Sequence, residues 1–277
     1  MKTTMLGFIA ETAIHCGAGR SSGIVDLPVA REAATDYPFI PGSGLKGSMR
    51  DRATQLGRNG NDVDEIFGKP DNAGNLLVSD ARILLLPVRS LTGVYRWVTC
   101  PLVLERYARD RARCGLAVQL PSVAVAATDG AAAARAADKQ GDKLFLEERE
   151  FAVTGACPKE VIEAIAPLIR HEQTRERLAR QLVVLSNDDF AWFCRNALPI
   201  QARNVLDDET KKSMNLWYEE SLPPDSVLYA LLIARNDRAE TAVSELFPDT
   251  DPYLQIGGNE TVGHGWTAVA VYKEGVS

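Results

Sequence analysis

Asp36-Tyr37-Pro38-Phe39-Ile40-Pro41-Gly42-Ser43-Gly44-Leu45-Lys46-Gly47 is the stretch on which the architecture turns. Its last six residues spell G-x-G-x-x-G, the signature of a dinucleotide-binding turn. Such a turn needs a buried parallel strand running straight into it, and Pro38 and Pro41 interrupt the approach, because proline cannot donate to a central ladder. The phosphate loop of nucleotide hydrolases fails as well: its lysine must directly precede Ser or Thr, and here Lys46 is followed by Gly47. What remains is a glycine-rich helix start. Ser43 is placed to cap it, and Leu45, Met49, Ala53 and Leu56 recur at the spacing of one buried face. Lys46 and Arg50, one turn apart and outside that stripe, would add side-chain cations to the free N–H groups of the first turn, an arrangement that suits phosphate. Solvated basic residues beside a tightly packed helix start account for the same pattern.

On the N-terminal side, residues 3–14 read as a largely buried strand, followed by a Gly- and Ser-bearing loop over residues 15–36. On the C-terminal side, residues 76–86 read as a strand ending at Pro87, and residues 101–113 as a helix with Pro101 in its first turn. Residues 115–141 are Ala-rich and weakly periodic, which predicts an insertion. Strand character resumes over residues 145–153, and helical signals over residues 158–180 break near Pro167 and His171. Two apolar segments flanking the polar run Asp207-Asp208-Glu209-Thr210-Lys211-Lys212 predict a projecting hairpin over residues 200–220. A strand over residues 228–234, a helix over residues 237–247 and strands around Gly257-Gly258 complete the chain. Strands and helices alternate without a repeat, which predicts one α+β domain over residues 1–277 with helices on one face of the sheet.

The 277 residues, 45% hydrophobic and 25% charged, describe a folding globular chain. No apolar run reaches membrane-spanning length and the start lacks a secretory layout, so the expectation is a cytoplasmic protein with no membrane contact. The five cysteines are scattered with no Cys-x-x-Cys, which predicts reduced thiols rather than a zinc site. A net charge of −6 excludes coating nucleic acid by charge alone; any contact must be local. The terminal loop has four glycines in nine positions, Gly257 to Gly265, so its backbone can approach a ligand closely. Trp266 beside it is expected in the core rather than stacked on a base.

Several segments in order resemble the RAMP superfamily, and within it the repeated backbone subunits of type III-B (Cmr) CRISPR effectors. They are Gly17-Ala18-Gly19, Gly23-Ile24-Val25-Asp26-Leu27-Pro28-Val29-Ala30-Arg31-Glu32, the stretch from Pro38 to Gly47, Ile66-Phe67-Gly68, Val78-Ser79-Asp80-Ala81, Asn215-Leu216-Trp217-Tyr218-Glu219-Glu220 with Leu222-Pro223, and the terminal glycine loop. The resemblance covers nearly the whole chain. It implies a ferredoxin-like (RRM-like) palm with an inserted helical region and a β-hairpin thumb, for which residues 200–220 are the candidate and residues 115–141 the competitor. It also implies binding of crRNA, pairing with target RNA, a head-to-tail filament of copies, and contact with other Cmr-complex subunits.

The same resemblance assigns Asp26 the catalytic role in cutting target RNA. RNA carries its own nucleophile, the 2′-hydroxyl, so a single carboxylate suffices if it accepts a proton or holds a hydrated divalent ion, Mg2+ or Mn2+. Pairing of Asp26 with Arg31 is the alternative role for this residue. The candidate RNA-binding residues are His15, Arg20, Ser43, Gly44, Lys46, Gly47, Arg50, Gly258, Asn259, Thr261 and His264. A guide-processing ribonuclease with histidine-centred chemistry has only three histidines to draw on, and a non-cutting scaffold stays open.

Overall fold

Every residue from Thr4 to Ala10 is buried. The strand Lys2–Ala10 is paired antiparallel on both edges, with Val227–Ala234 and Trp266–Tyr272, and Gly7 lies under Leu168 so closely that a Cβ there would sit 2.3 Å from the Leu168 carbonyl oxygen. Burial on both faces is why hydrophobic alternation is blurred along this segment. The computed structural model describes residues 1–21, 23–116, 120–125, 132–138 and 141–272.

In chain order the palm runs strand Lys2–Ala10, helix Gly42–Gln55, strand Ala81–Arg89, strand Val227–Ala234, helix Asp237–Leu246 and strand Trp266–Tyr272. Across the sheet these four strands lie in the order fourth, first, third, second, all antiparallel, which is the β-α-β-β-α-β ferredoxin-like arrangement. Tyr253–Gln255 adds an outer edge beside the last strand.

Residues 95–226 are inserted between the second and third palm strands. It carries the helices Pro101–Arg113, Lys159–Ile165, Glu172–Gln181 and Asn187–Asn196, as the inserted helical region of the resemblance implies, together with strands. Five of its strands, Tyr95–Thr99, Leu182–Leu185, Ala133–Ala136, Arg149–Ala156 and Lys143–Leu146, continue the sheet outward from Ala81–Arg89 in that order. Pro87 sits inside Ala81–Arg89 rather than ending it; register with Val227–Ala234 stops at Leu85, so at Pro87 only the Trp97 side is paired. Residues 115–141 contribute strand Ala133–Ala136, which pairs parallel with Arg149–Ala156 on one edge and antiparallel with Leu182–Leu185 on the other. Part of that segment lies outside the described residues.

The predicted hairpin is present: Ile200–Leu206 pairs with Ser213–Glu220 as a separate two-stranded sheet, in register from Ile200↔Glu220 to Val205↔Asn215. Its turn is organised by Asp207, whose Oδ1 accepts from the Thr210 N–H and hydroxyl, both at 2.7 Å, and from the Glu209 N–H at 3.2 Å. These donors hold the Asp207 carboxyl below the usual carboxylate range, the Thr210 N–H most of all.

The helix start differs from expectation in one contact. Ser43 makes no capping bond; the Gly42 N–H donates 2.7 Å to Asp80 Oδ1, so the cap comes from the break between strands Leu76–Val78 and Ala81–Arg89. Leu45, Met49 and Ala53 are buried as the spacing predicts, while Leu56, at the helix end, is 41% exposed.

Candidate functional site

The loop after the first strand is pinned by main-chain bridges at both legs. Ile14 pairs with Leu222, His15 with Gly258 and Gly17 with Val29, and the return leg lies parallel to the hairpin base through Leu27 and Glu219. The Leu27 N–H donates to the Tyr218 carbonyl at 3.1 Å and the Glu220 N–H to the Leu27 carbonyl at 3.0 Å. Between these rungs the Tyr218 N–H donates 2.8 Å to Asp26 Oδ2, which orients the half-buried carboxylate. Asp26 does not pair with Arg31. Arg31 instead meets Glu220 Oε1 at 2.7 Å, and Glu220 Oε2 accepts from the Val29 N–H at 3.1 Å.

Glu219 points the other way from its neighbour, as alternation along a strand requires. It is 4% exposed, accepts from Asn259 Nδ2, and has His15 Nδ1 and Arg203 Nε each 3.7 Å away. Asn259 opens the terminal turn in the left-handed region at φ 64°. Gly257, at φ 87°, is required there, since a Cβ would lie 2.3 Å from the His15 carbonyl oxygen.

These elements enclose a cavity of about 390 Å³ lined by Arg20, Asp26, Asn215, Trp217, Glu219 and Asn259, among others. Three of the candidates, Asp26, Arg20 and Asn259, therefore meet in one place. His15 does not line it: its ring is 12% exposed and Nδ1 donates 2.7 Å to the Glu220 carbonyl, so it holds the hairpin base to the loop. His171 pairs with Glu11 at 2.7 Å, and His264 is half-buried with Nδ1 lacking a partner. No two histidines share this cavity, which leaves histidine-centred processing chemistry without support here.

The opening helix walls other clefts. Lys46 lines one of about 420 Å³ with Lys69 and Arg235. Partial burial, then Arg235 and Arg50, push the Lys46 ammonium below its usual range. Arg50 is not a free cation, as it bonds to Asp64 and to the Gly68 carbonyl, both at 2.5 Å. Ser43, Gly44 and Gly47 are exposed on the helix, and Gly258 and Thr261 on the terminal turn. Trp266 is 42% exposed, contrary to the expected core position, because it faces a cleft between Tyr253 and the helix residues Asp51 and Arg52. Burial raises every cysteine thiol, Cys16 and Cys157 to about 12 and Cys114 to about 11, so none is poised as a nucleophile.

Sequence reasoning missed Glu219, Arg203, Lys69 and Arg235 as site residues. The tandem Glu219-Glu220 in a predicted strand was the available signal, since alternation sends the two acids to opposite faces. Lys69 and Arg235 had none, being 166 positions apart. Among the described residues no helix is long and apolar enough to cross a membrane.

A family model described as the RAMP superfamily matches residues 8–268. A protein of Pyrococcus furiosus named CRISPR system Cmr endoribonuclease Cmr4 is 32% identical over 289 residues, spanning 98% of this chain and 96% of that protein. The structure of oligomeric Cmr4 from the same organism superposes with a TM-score of 0.78 at 29% identity, covering 100% and 99% of the two chains. A chain of a type III-B Cmr-beta complex bound to cognate target RNA shares the fold, with a TM-score of 0.76 at 19% identity over 98% of this chain and 97% of that one. With its palm topology, projecting hairpin and full-length similarity in agreement, this chain belongs to the RAMP superfamily and, within it, to the Cmr4 family.

Proposed function

We propose that this protein is a repeated backbone subunit of a type III-B CRISPR RNA-guided effector, which binds crRNA and cleaves complementary target RNA with Asp26 as its catalytic residue. The observation that carries the reading is the placement of Asp26: an oriented carboxylate in a roomy cavity at the base of a projecting hairpin, with Arg20 beside it. The Cmr4 of P. furiosus is named an endoribonuclease and forms oligomers, which supports assembly of this chain with copies of itself and with other Cmr-complex subunits.

Asp26 Oδ2 is held by the Tyr218 N–H, and Oδ1 makes no hydrogen bond among the described residues. Oδ1 is thereby available to take the proton of a target 2′-hydroxyl. The O2′–P bond forms as the P–O5′ bond breaks, leaving a 2′,3′-cyclic phosphate and a 5′-hydroxyl that takes its proton from water. Arg20, exposed at the cavity edge, would hold the negatively charged backbone there. Among the described residues no three carboxylate, imidazole or thiolate groups converge, and Glu219 is already engaged by Asn259. A hydrated Mg2+ or Mn2+, which keeps most of its waters and is held largely by substrate phosphates, would be attracted by the Asp26 charge without occupying the proton-accepting Oδ1. Such an ion, when bound, neutralises charge at the scissile phosphate.

Cleavage of guide-paired RNA by the assembled complex tests the reading. Chelation is expected to stop cleavage and leave target binding intact, with cyclic-phosphate ends on the products made in metal. Full cleavage in chelator would remove the metal, and the absence of any cleavage would leave a scaffold.

The guide is proposed to lie along the exposed helix face of Ser43, Gly44 and Gly47 and across Gly258, Asn259, Thr261 and His264. A Cβ at Gly44 or Gly47 would meet nothing within 4 Å, and neither has a positive φ, so packing does not demand glycine at either position. Glycine in a helix costs about 0.5–1 kcal/mol relative to alanine. Gly44→Ala with Gly47→Ala is therefore expected to raise the melting temperature while weakening guide binding. A more stable variant with unaltered RNA affinity would take this face off the proposed path.

A further inference from the structure

Trp217 is placed unlike the tryptophans of the core. Trp97 is fully buried and its Nε1–H donates 2.8 Å to the Asp225 carbonyl, while Trp192 lies edge-on to Phe193 beneath the Arg149 guanidinium. Trp217 is half-buried on a two-stranded ribbon and packs into no part of the hydrophobic core. Among the described residues its ring makes no aromatic or cation–π contact, and its Nε1 makes no hydrogen bond. A lone surface tryptophan needs no explanation. This one is set by strand register into the wall of the Asp26 cavity.

Asn215, Trp217 and Glu219 alternate along Ser213–Glu220, and all three line that cavity. The residue after Trp217 supplies the N–H that holds Asp26 Oδ2 at 2.8 Å. Ring and carboxylate are therefore fixed to neighbouring points of one strand, and the pairing of Arg203 with Trp217 keeps that point in register.

The reaction at Asp26 has a use for such a ring. The attacking 2′-hydroxyl must come in line with the P–O5′ bond that breaks. In a stacked A-form duplex it lies to the side of that phosphate, so the nucleotide immediately 5′ of the cut has to turn out of the stack, which costs free energy. An aromatic face offsets part of that cost for any base, because every base has a π-face. Holding without base preference suits a target chosen by pairing with a guide. The cavity, at about 390 Å³, lies within the ~300–1,000 Å³ of pockets that take small organic ligands.

We propose that Trp217 is the stacking platform for the base of the target nucleotide immediately 5′ of the cut, and that it thereby sets the 2′-hydroxyl of that nucleotide against Asp26. The proposal rests on the cleavage reading above and adds to it a binding residue for the displaced base.

The test is cleavage by the assembled complex carrying Trp217→Phe or Trp217→Leu, on target RNA that is intact or abasic at that nucleotide. If the parent complex cuts nothing, the functional reading fails and the platform falls with it. If it cuts, Trp217→Leu, which keeps apolar bulk without a π-face, is expected to cleave intact target about 5- to 150-fold more slowly, the worth of one base–aromatic stack. Trp217→Phe should recover most of that rate. On abasic target the parent and Trp217→Leu should cut equally fast, since there is no base to hold. Parent rates for Trp217→Leu on intact target would overturn the platform while leaving the functional reading standing. An equal loss on intact and abasic targets would overturn it too, by making the ring part of the hairpin's construction. In complexes that also carry Asp26→Asn, 2-aminopurine at the same nucleotide is expected to brighten on Trp217→Leu substitution; unchanged emission would show that the base does not rest on this ring.

Discussion

Asp26→Asn is expected to lower target cleavage by about 10²–10⁴-fold, the usual contribution of one proton-transferring group, while guide binding, assembly and melting temperature stay at parent values. The amide oxygen of Asn can still accept from the Tyr218 N–H, so the rung that joins the loop to the hairpin survives. What disappears is the charge and basicity of the free oxygen, and with it both the proton acceptor and the negative charge that would attract the ion. Asp26→Ala removes the acceptor as well and is expected to cost about 1 kcal/mol of local stability in addition. Cleavage by the complex reconstituted with each variant, counted per cut site, is the measurement. A variant that cuts as fast as the parent would refute the assignment of Asp26.

Glu220→Ala is expected to destabilise the protein by about 3–5 kcal/mol, the cost of removing one partner from a buried ion pair. Glu220 is 5% exposed and joins three parts of the chain: its own hairpin strand, the Val29 N–H on the return leg of the loop, and the Arg31 guanidinium. Arg31 in turn donates to the carbonyls of Asp36 and Cys194 at 2.9 and 2.8 Å. Truncating Glu220 leaves the Val29 N–H and a guanidinium arm without acceptors in a mostly dry setting. Glu220→Gln keeps one acceptor and is expected to lose less. The check is the denaturant midpoint at constant slope, and a midpoint equal to the parent's would show that the junction does not depend on this acid. Comparing the two acids separates chemistry from construction: Asp26→Asn should stop cutting in a stable protein, whereas Glu220→Ala should loosen the loop that carries Asp26.

Local signals carried most of the architecture. The buried stripe Leu45, Met49 and Ala53 marked the opening helix, Pro101 marked the start of Pro101–Arg113, and the polar run from Asp207 to Lys212 marked the hairpin turn. Strand Ala133–Ala136 left no signal within the Ala-rich segment because alanine carries little strand propensity and a run of alanines shows no apolar–polar alternation. Ferredoxin-like order itself rests on which strands pair, and Lys2–Ala10 finds its partners more than two hundred residues away.

The sequence by itself determined the helix start, the hairpin and the residue types able to meet RNA, because periodicity and turn chemistry act over a few neighbouring residues. Only the tertiary structure decided what each charged group does: Asp26 meets the Tyr218 amide across 192 positions, Asp80 takes the cap expected of Ser43, and Arg50 is claimed by Asp64 while Lys46 is left free beside Arg235. The physical reason is that a charge's role is set by which opposite charges, donors and dry surfaces reach it in space, and chain folding brings those together without regard to their separation in sequence.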